Sequence, residues 1–135
     1  MSKKEDYRRR NETYLTEKRQ EEGVKELRGG VLYRVLESGA PDGPHPTPRS
    51  IVSCRYRGQN IQGRTFDENF SAPCATAFRV NELIPGFQVA LVNMRPGDRW
   101  MVYIPSDMGY GPRGAGRDIP GGSTLVFEIQ LTAIS

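Results

Sequence analysis

Hydrophobic and polar positions alternate most cleanly at the end of the chain. In "STLVFEIQLTAIS" (123–135), Leu125, Phe127, Ile129 and Leu131 fall on one side and Glu128, Gln130 and Thr132 on the other. A period of two is that of a half-buried strand. "SIVSCRYRG" (50–58) repeats it, with Val52, Cys54 and Tyr56 on one face, and "NIQGRTFD" reads as a turn and a return strand. "GVLYRVLESG" (30–39) is a strand of branched and aromatic residues ending at a glycine, and "RWMVYIP" (99–105), apolar on both faces, reads as a central strand. The period changes in "LIPGFQVALVNM" (83–94), where Ile84, Phe87, Leu91 and Met94 recur at helical spacing and Pro85 suits the first turn. "RPGD" (95–98) carries a type II turn signature. Residues 40–50 form a proline-rich loop and 106–122 a long glycine-rich one. About five strands and one short helix imply an α+β fold, an antiparallel sheet wrapped over the helix, because the helix stripe must cover an inner sheet face.

Residues 3–28 differ from this body. They are dense in charges of both signs and lack proline, and Gly23 after Glu22 marks a helix stop. Tyr7, Tyr14 and Leu15 share one narrow helical face. An isolated helix of this length is marginal in water, so it is expected to rest on the domain's own sheet or on a second copy of the chain. The expected division is a charged helical extension at 1–28 and a body at 29–135. The apolar stripe is too narrow to bury the ~800 Å² per partner of a standard interface, so a monomer or weak dimer is expected.

Composition narrows the function. The 135 residues include 15 glycines and 10 prolines, which fits one turn-rich domain. A net charge of +3 is too small to indicate nucleic-acid binding, and "RRR" at 8–10 is offset by Glu5, Asp6 and Glu12. Cys54 and Cys74 make neither a disulfide framework nor a CxxC pair, and the lone His45 lies among loop prolines with no partner at metal spacing, so no metal or cofactor is expected. No run approaches the ~20 apolar residues of a membrane span, and the charged N-terminus has no apolar core of a signal peptide. These features favour the cytoplasm, with a periplasmic or surface location as the alternative if a leader has been removed.

No GxSxG, HExxH or Cys/His pairing is present. "GYGPRGAG" leads into a strand, whereas a phosphate loop needs the start of a helix. What recurs near the loops is a set of apolar and aromatic residues: Tyr56, Phe66, Phe78, Phe87, Tyr110, Ile119 and Phe127. Asp67 follows Phe66 with no histidine or cysteine beside it to work with it in catalysis.

The pieces "YRGQNIQGRTFD", "LIPGFQVALVNMRPGDR" and "GYGPRGAGRDIPGGSTLVFEIQL" occur in the order and spacing of one family. From about Gly30 to Ser135 the sequence resembles the FKBP family of macrolide-binding peptidyl-prolyl isomerases. "NETYLTEKRQEEGV" looks like the helical leader of its bacterial Mip-like members. The resemblance implies a bent sheet around one short helix and rotation of X-Pro bonds in peptides and in unfolded or nascent proteins. It also implies a pocket at Tyr56, Phe66, Asp67, Phe78, Leu83, Ile84, Phe87, Tyr110, Ile119 and Phe127. In family terms Phe87 is the floor and Tyr56, Phe66 and Phe127 are walls. The Ile84 N–H and the Tyr110 hydroxyl hold substrate carbonyls, while Asp67 orients Tyr56 and favours the twisted amide. Isomerisation breaks no covalent bond, so a lone carboxylate needs no acid–base partner.

The sequence departs from the family in three places. Phe87 stands where many members have Trp, which puts affinity for macrolide inhibitors such as rapamycin at issue. Ala72 replaces a family Arg that partners the acid, so Asp67 must be held otherwise. Asn60 replaces a common Leu. The alternative reading is a proline-binding chaperone or interaction module on the same fold with little catalysis.

Overall fold

A computed structural model describes residues 2–135. Helix α1 spans Lys3–Arg19 and helix α2 spans Pro85–Leu91. The strands are β1 (Lys25–Glu26), β2 (Leu32–Glu37), β3 (Ile51–Gln59), β4 (Thr65–Glu68), β5 (Thr76–Arg79), β6 (Arg99–Ile104) and β7 (Leu125–Ile134). They form one antiparallel sheet in the order β1-β2-β6-β7-β3-β4, with β5 also paired to β3. Each strand expected from the sequence is present. The two further strands are the two-residue β1 and the short β5, whose mostly exposed residues carry no apolar alternation.

The core lies between α2 and the inner face of the sheet. Leu125, Phe127, Ile129 and Leu131 of β7, Val52 and Cys54 of β3, and Trp100, Val102 and Ile104 of β6 are buried there against Phe87, Leu91 and Met94. Ile84 caps α2 and Pro85 opens it, at a position that needs no amide donor. Pro96-Gly97 makes the expected turn: the Asp98 N–H donates to the Arg95 carbonyl at 2.9 Å, and Gly97 has φ +93°. The departure at Asn60 has a local use, since its Oδ1 accepts the N–H groups of Gln62 and Arg64 and shapes the β3–β4 turn.

The outer face of the sheet carries α1. The helix starts at Ser2, whose Oγ accepts the Glu5 N–H, and stops at Arg19, earlier than Gly23 suggests. The N–H groups of Gln20 and Glu21 turn back to the carbonyls of Glu17 and Lys18, which tightens the last turn. Gly23 (φ +85°) then serves the turn into β1. Leu15 packs with Leu32, Tyr103 and Val126 in a second core, and Tyr14 leans on Tyr103 with ring centroids 6.3 Å apart. This layer explains why β6 is apolar on both faces: Val102 and Ile104 face α2, while Tyr103 faces α1.

Polar contacts fix the register of the dock. Asn11 is 1% exposed; its Oδ1 accepts the Thr124 N–H at 2.8 Å, and the Thr124 hydroxyl donates to the Asn11 carbonyl. The Ser123 hydroxyl donates to the Pro120 carbonyl at 2.6 Å, which uses its one proton. The Tyr7 hydroxyl, 2.6 Å from Ser123 Oγ, is therefore the donor in that contact. A chain of hydrogen bonds thus runs from α1 to the glycine-rich loop.

Candidate active site

Strand β3 enters the site at Tyr56 and leaves it at Gly58. The Tyr56 ring lies 5.8 Å from Phe78, 6.1 Å from Phe87 and 6.3 Å from Phe127. Phe87, at the start of α2, is 5.3 Å from Phe127, and Phe66 meets Phe127 edge-on at 5.7 Å. Leu83 and Ile84 pack against the main core that contains these rings, and Ile119 lies within it. Edge-to-face contact is the favoured arrangement of aromatic quadrupoles, and the partly buried Tyr56, Phe66 and Phe78 form the outer edge of a cluster whose buried members are Phe87 and Phe127.

Asp67 and Tyr110 sit at that edge, both exposed. The Tyr56 hydroxyl donates to Asp67 Oδ2 at 2.7 Å. Burial, then the bond to Asp67 and its charge, push the Tyr56 phenol well above its usual range. Burial and the Asp67 charge raise Tyr110 as well. Both phenols therefore remain protonated donors at neutral pH. The Ile84 N–H has no acceptor among the described residues. The structure thus brings the rings of Tyr56, Phe66, Phe78, Phe87 and Phe127 together, with Asp67 and Tyr110 beside Tyr56.

With Ala72 in the family arginine's place, Asp67 is held through Tyr56. Arg55 serves the neighbouring loop instead, its guanidinium donating to the carbonyls of Asn69, Phe70, Ala72 and Pro73. Asn69 is 7% exposed and fully engaged: Oδ1 accepts the Tyr56 N–H at 2.7 Å, and Nδ2 donates to the Cys54 carbonyl and Thr76 Oγ1. It ties the Tyr56 backbone to the segment that carries Asp67 and Phe78. Nothing in the residue pattern marks Asn69 for this role. Cys54 is buried and its thiol is pushed up to about 12 by burial, so it is a core residue rather than a nucleophile. His45 is an exposed loop residue with Nδ1 2.9 Å from the Met94 carbonyl.

Gly58 is a second site residue that sequence reasoning missed, although a glycine inside a strand signals a close approach. A Cβ there would lie 2.6 Å from the Phe127 ring and 2.7 Å from the Phe66 ring. Gly58→Ala is expected to push both walls apart. The cost should be about 1–3 kcal/mol, as for other overpacked sites, with reduced binding of apolar peptide. Denaturant unfolding and peptide titration check this; unchanged stability and unchanged binding would mean that the walls are not held as tightly as described.

Residues 43–132 match the family of FKBP-type peptidyl-prolyl cis-trans isomerases. The chain belongs to this family. It is 40% identical over 121 residues to the FKBP-type 22 kDa peptidyl-prolyl cis-trans isomerase of Escherichia coli, covering 90% of this chain and 58% of that one. To the outer membrane protein MIP of Legionella longbeachae it is 32% identical over 132 residues, covering 98% and 56%. The crystal structure of a peptidyl-prolyl cis-trans isomerase from Pseudomonas syringae superposes with a TM-score of 0.90 at 36% identity, covering 100% of this chain and 98% of that one. The chain spans a little over half the length of the two sequence relatives named. As an FKBP-type fold it has its short helix and bent sheet in the expected places. None of its helices among the described residues is long and apolar enough to cross a membrane.

Proposed function

We propose that the protein is a peptidyl-prolyl cis-trans isomerase acting on X-Pro bonds of peptides and unfolded or nascent proteins. The observation that carries this reading is the ring cluster of Tyr56, Phe78, Phe87 and Phe127, with the Tyr56 hydroxyl bonded to Asp67 at its rim. The barrier to rotation, about 18–20 kcal/mol, is the double-bond character of the C–N bond. A catalyst must favour the twisted amide, in which that resonance is lost. A dry pocket does so by removing water from a carbonyl whose charge is largest in the planar ground state. In this reading Phe87 is the floor and Tyr56, Phe66 and Phe127 are walls. Phe78, Leu83 and Ile119 complete the apolar surround. The unpartnered Ile84 N–H and the Tyr110 hydroxyl hold the carbonyls that flank the proline. Asp67 orients Tyr56 and favours the polarised carbonyl carbon of the twisted state.

Catalysis is carried by residues 29–135, with 1–28 an extension docked on the outer face. Because α1 already covers that face, the protein is a monomer or at most a weak dimer. The Legionella longbeachae relative is named an outer membrane protein, which supports a periplasmic or surface location over the cytoplasmic one expected from the sequence. A Phe floor lacks the indole N–H of Trp, so affinity for macrolides such as rapamycin is expected to be low.

Exchange rates across a series of X-Pro peptides test the proposal. Acceleration that is greatest with apolar residues before proline is expected, and no acceleration of any peptide would leave only the proline-binding module. Activity should vary little between about pH 6 and 8, because both site phenols are raised above the ordinary tyrosine value of about 10. In the alkaline range the folded chain keeps protons that the unfolded chain has lost. The stability from Tyr56 and Tyr110 is therefore intact below about pH 10 and lost as pH rises through their folded values. A bell-shaped rate profile with a limb near neutrality would point to acid–base chemistry and contradict the mechanism.

A further inference from the structure

The glycine-rich loop has a second use. Its pocket side presents Tyr110 and Ile119. Between it and the first turns of α1 lies a groove of about 750 Å³, within the size range of ligand sites. Pro112, Pro120 and the Gly121–Gly122 backbone line one wall, Tyr7 lines the other, and the surface they offer is mainly apolar. Five cationic side chains, Lys3, Lys4, Arg8, Arg10 and Arg113, surround it against two carboxylates, Glu5 and Asp107. Arg8 reaches Glu12 only at 3.9 Å across an exposed pair, and Arg10 lies over the Tyr7 ring. Lys3, Lys4 and Arg113 have no carboxylate partner among the described residues. The chain's small net charge of +3 is thus matched by the local excess at this one groove.

We propose that this groove binds an acidic, extended segment of the same client polypeptide whose proline occupies the aromatic pocket. The identity of the client rests on the isomerase reading; the groove itself does not. An extended peptide fits a floor of proline, glycine and tyrosine, and its carboxylates meet the unpaired ammonium and guanidinium groups. The Tyr7–Ser123–Pro120 hydrogen bonds tie the helical wall to the loop, so the groove is held in shape before a ligand arrives. Residues 119 and 120 are adjacent, one facing the pocket and the other the groove. A client held at one site is therefore presented to the other at high effective concentration, which raises affinity without any change in the chemistry.

Two measurements on the full chain test this. In the first, a labelled Glu-Gly peptide without proline is titrated by fluorescence anisotropy, with a Ser-Gly peptide as control. Binding of the acidic peptide alone, weakened by salt and reduced about fivefold or more in a Lys3→Glu/Lys4→Glu variant, as expected for a few exposed ion pairs, supports the groove. Equal binding of both peptides, or no effect of the variant, overturns it. So does displacement of the acidic peptide by a much tighter single-stranded oligonucleotide, which would make the groove a nucleic-acid site.

In the second, an X-Pro substrate is compared with and without an acidic tail. The tail should lower KM about fivefold at unchanged kcat, and the ratio of the two KM values should fall to about one in the variant. A ratio of one in the unaltered chain overturns the proposal. Acidic-peptide binding in a chain that accelerates no X-Pro substrate would refute the isomerase reading and leave the groove standing.

Discussion

Asp67→Ala is expected to lower kcat about tenfold to a hundredfold, the equivalent of one charge-assisted hydrogen bond of about 1.5–3 kcal/mol. The carboxylate accepts the Tyr56 hydroxyl at 2.7 Å, and its loss leaves that hydroxyl without a fixed partner at the pocket rim. It also removes the one negative charge named in the site, which in the proposed mechanism is felt most by the twisted amide. An interaction made mainly in the transition state lowers kcat and kcat/KM together, so KM should change little. Asp67→Asn separates orientation from charge: it can keep an acceptor for Tyr56, and a rate near that of the unaltered chain would assign the effect to orientation.

Phe66→Ala should act by another route. Its ring, half-buried against Phe127, forms part of the wall, so its removal should raise KM as well as lower turnover. Steady-state kinetics on folded variants, with circular dichroism as control, reads both. Equal and negligible effects would mean that the site is misplaced.

The largest loss of stability is expected at the floor. Phe87 is 5% exposed and meets the rings of Tyr56, Phe78 and Phe127. Phe87→Ala should cost about 3–5 kcal/mol, the transfer energy of the ring plus the cavity it leaves. That is a large part of the roughly 5–15 kcal/mol by which domains are typically stable. Because α2 is only seven residues long, its position depends on this side chain and on Leu91 and Met94 rather than on helix propensity. Phe87→Leu keeps much of the volume and should recover most of the stability but not the flat floor. Urea unfolding of both variants decides the matter: a loss below about 1 kcal/mol for alanine would be far outside the range for a buried ring and would show that the floor is loosely packed.

The distinction between floor and rim bears on how specificity could evolve here. Rim groups such as Asp67 and Tyr110 are exposed and bonded to little else, so they can change at small cost to the fold. Phe87, the proposed floor, belongs to the core, so a substitution there is expected to change packing and, in the proposed site, ligand binding together.

Much of this molecule is legible in one dimension. The alternation from Leu125 to Leu131 predicts β7 and its buried face, and the spacing of Phe87, Leu91 and Met94 predicts the face of α2, because local periodicity maps directly onto which side of a strand or helix is covered. The residues gathered around Tyr56 are found because their order along the chain follows a family pattern, not because periodicity separates a pocket from a core. The tertiary structure decided the rest. Asn11 on Thr124 and Asn69 beneath Tyr56 are buried polar residues, and Tyr7 on Ser123 is a partly buried one; each is held by specific partners, most of them distant in sequence. Gly58 matters because two rings close over it, and the basic groove exists because α1 comes to rest beside the glycine-rich loop. A hydrogen bond or a close contact between residues far apart in the chain leaves no period in either segment, so only the fold that brings them together reveals it.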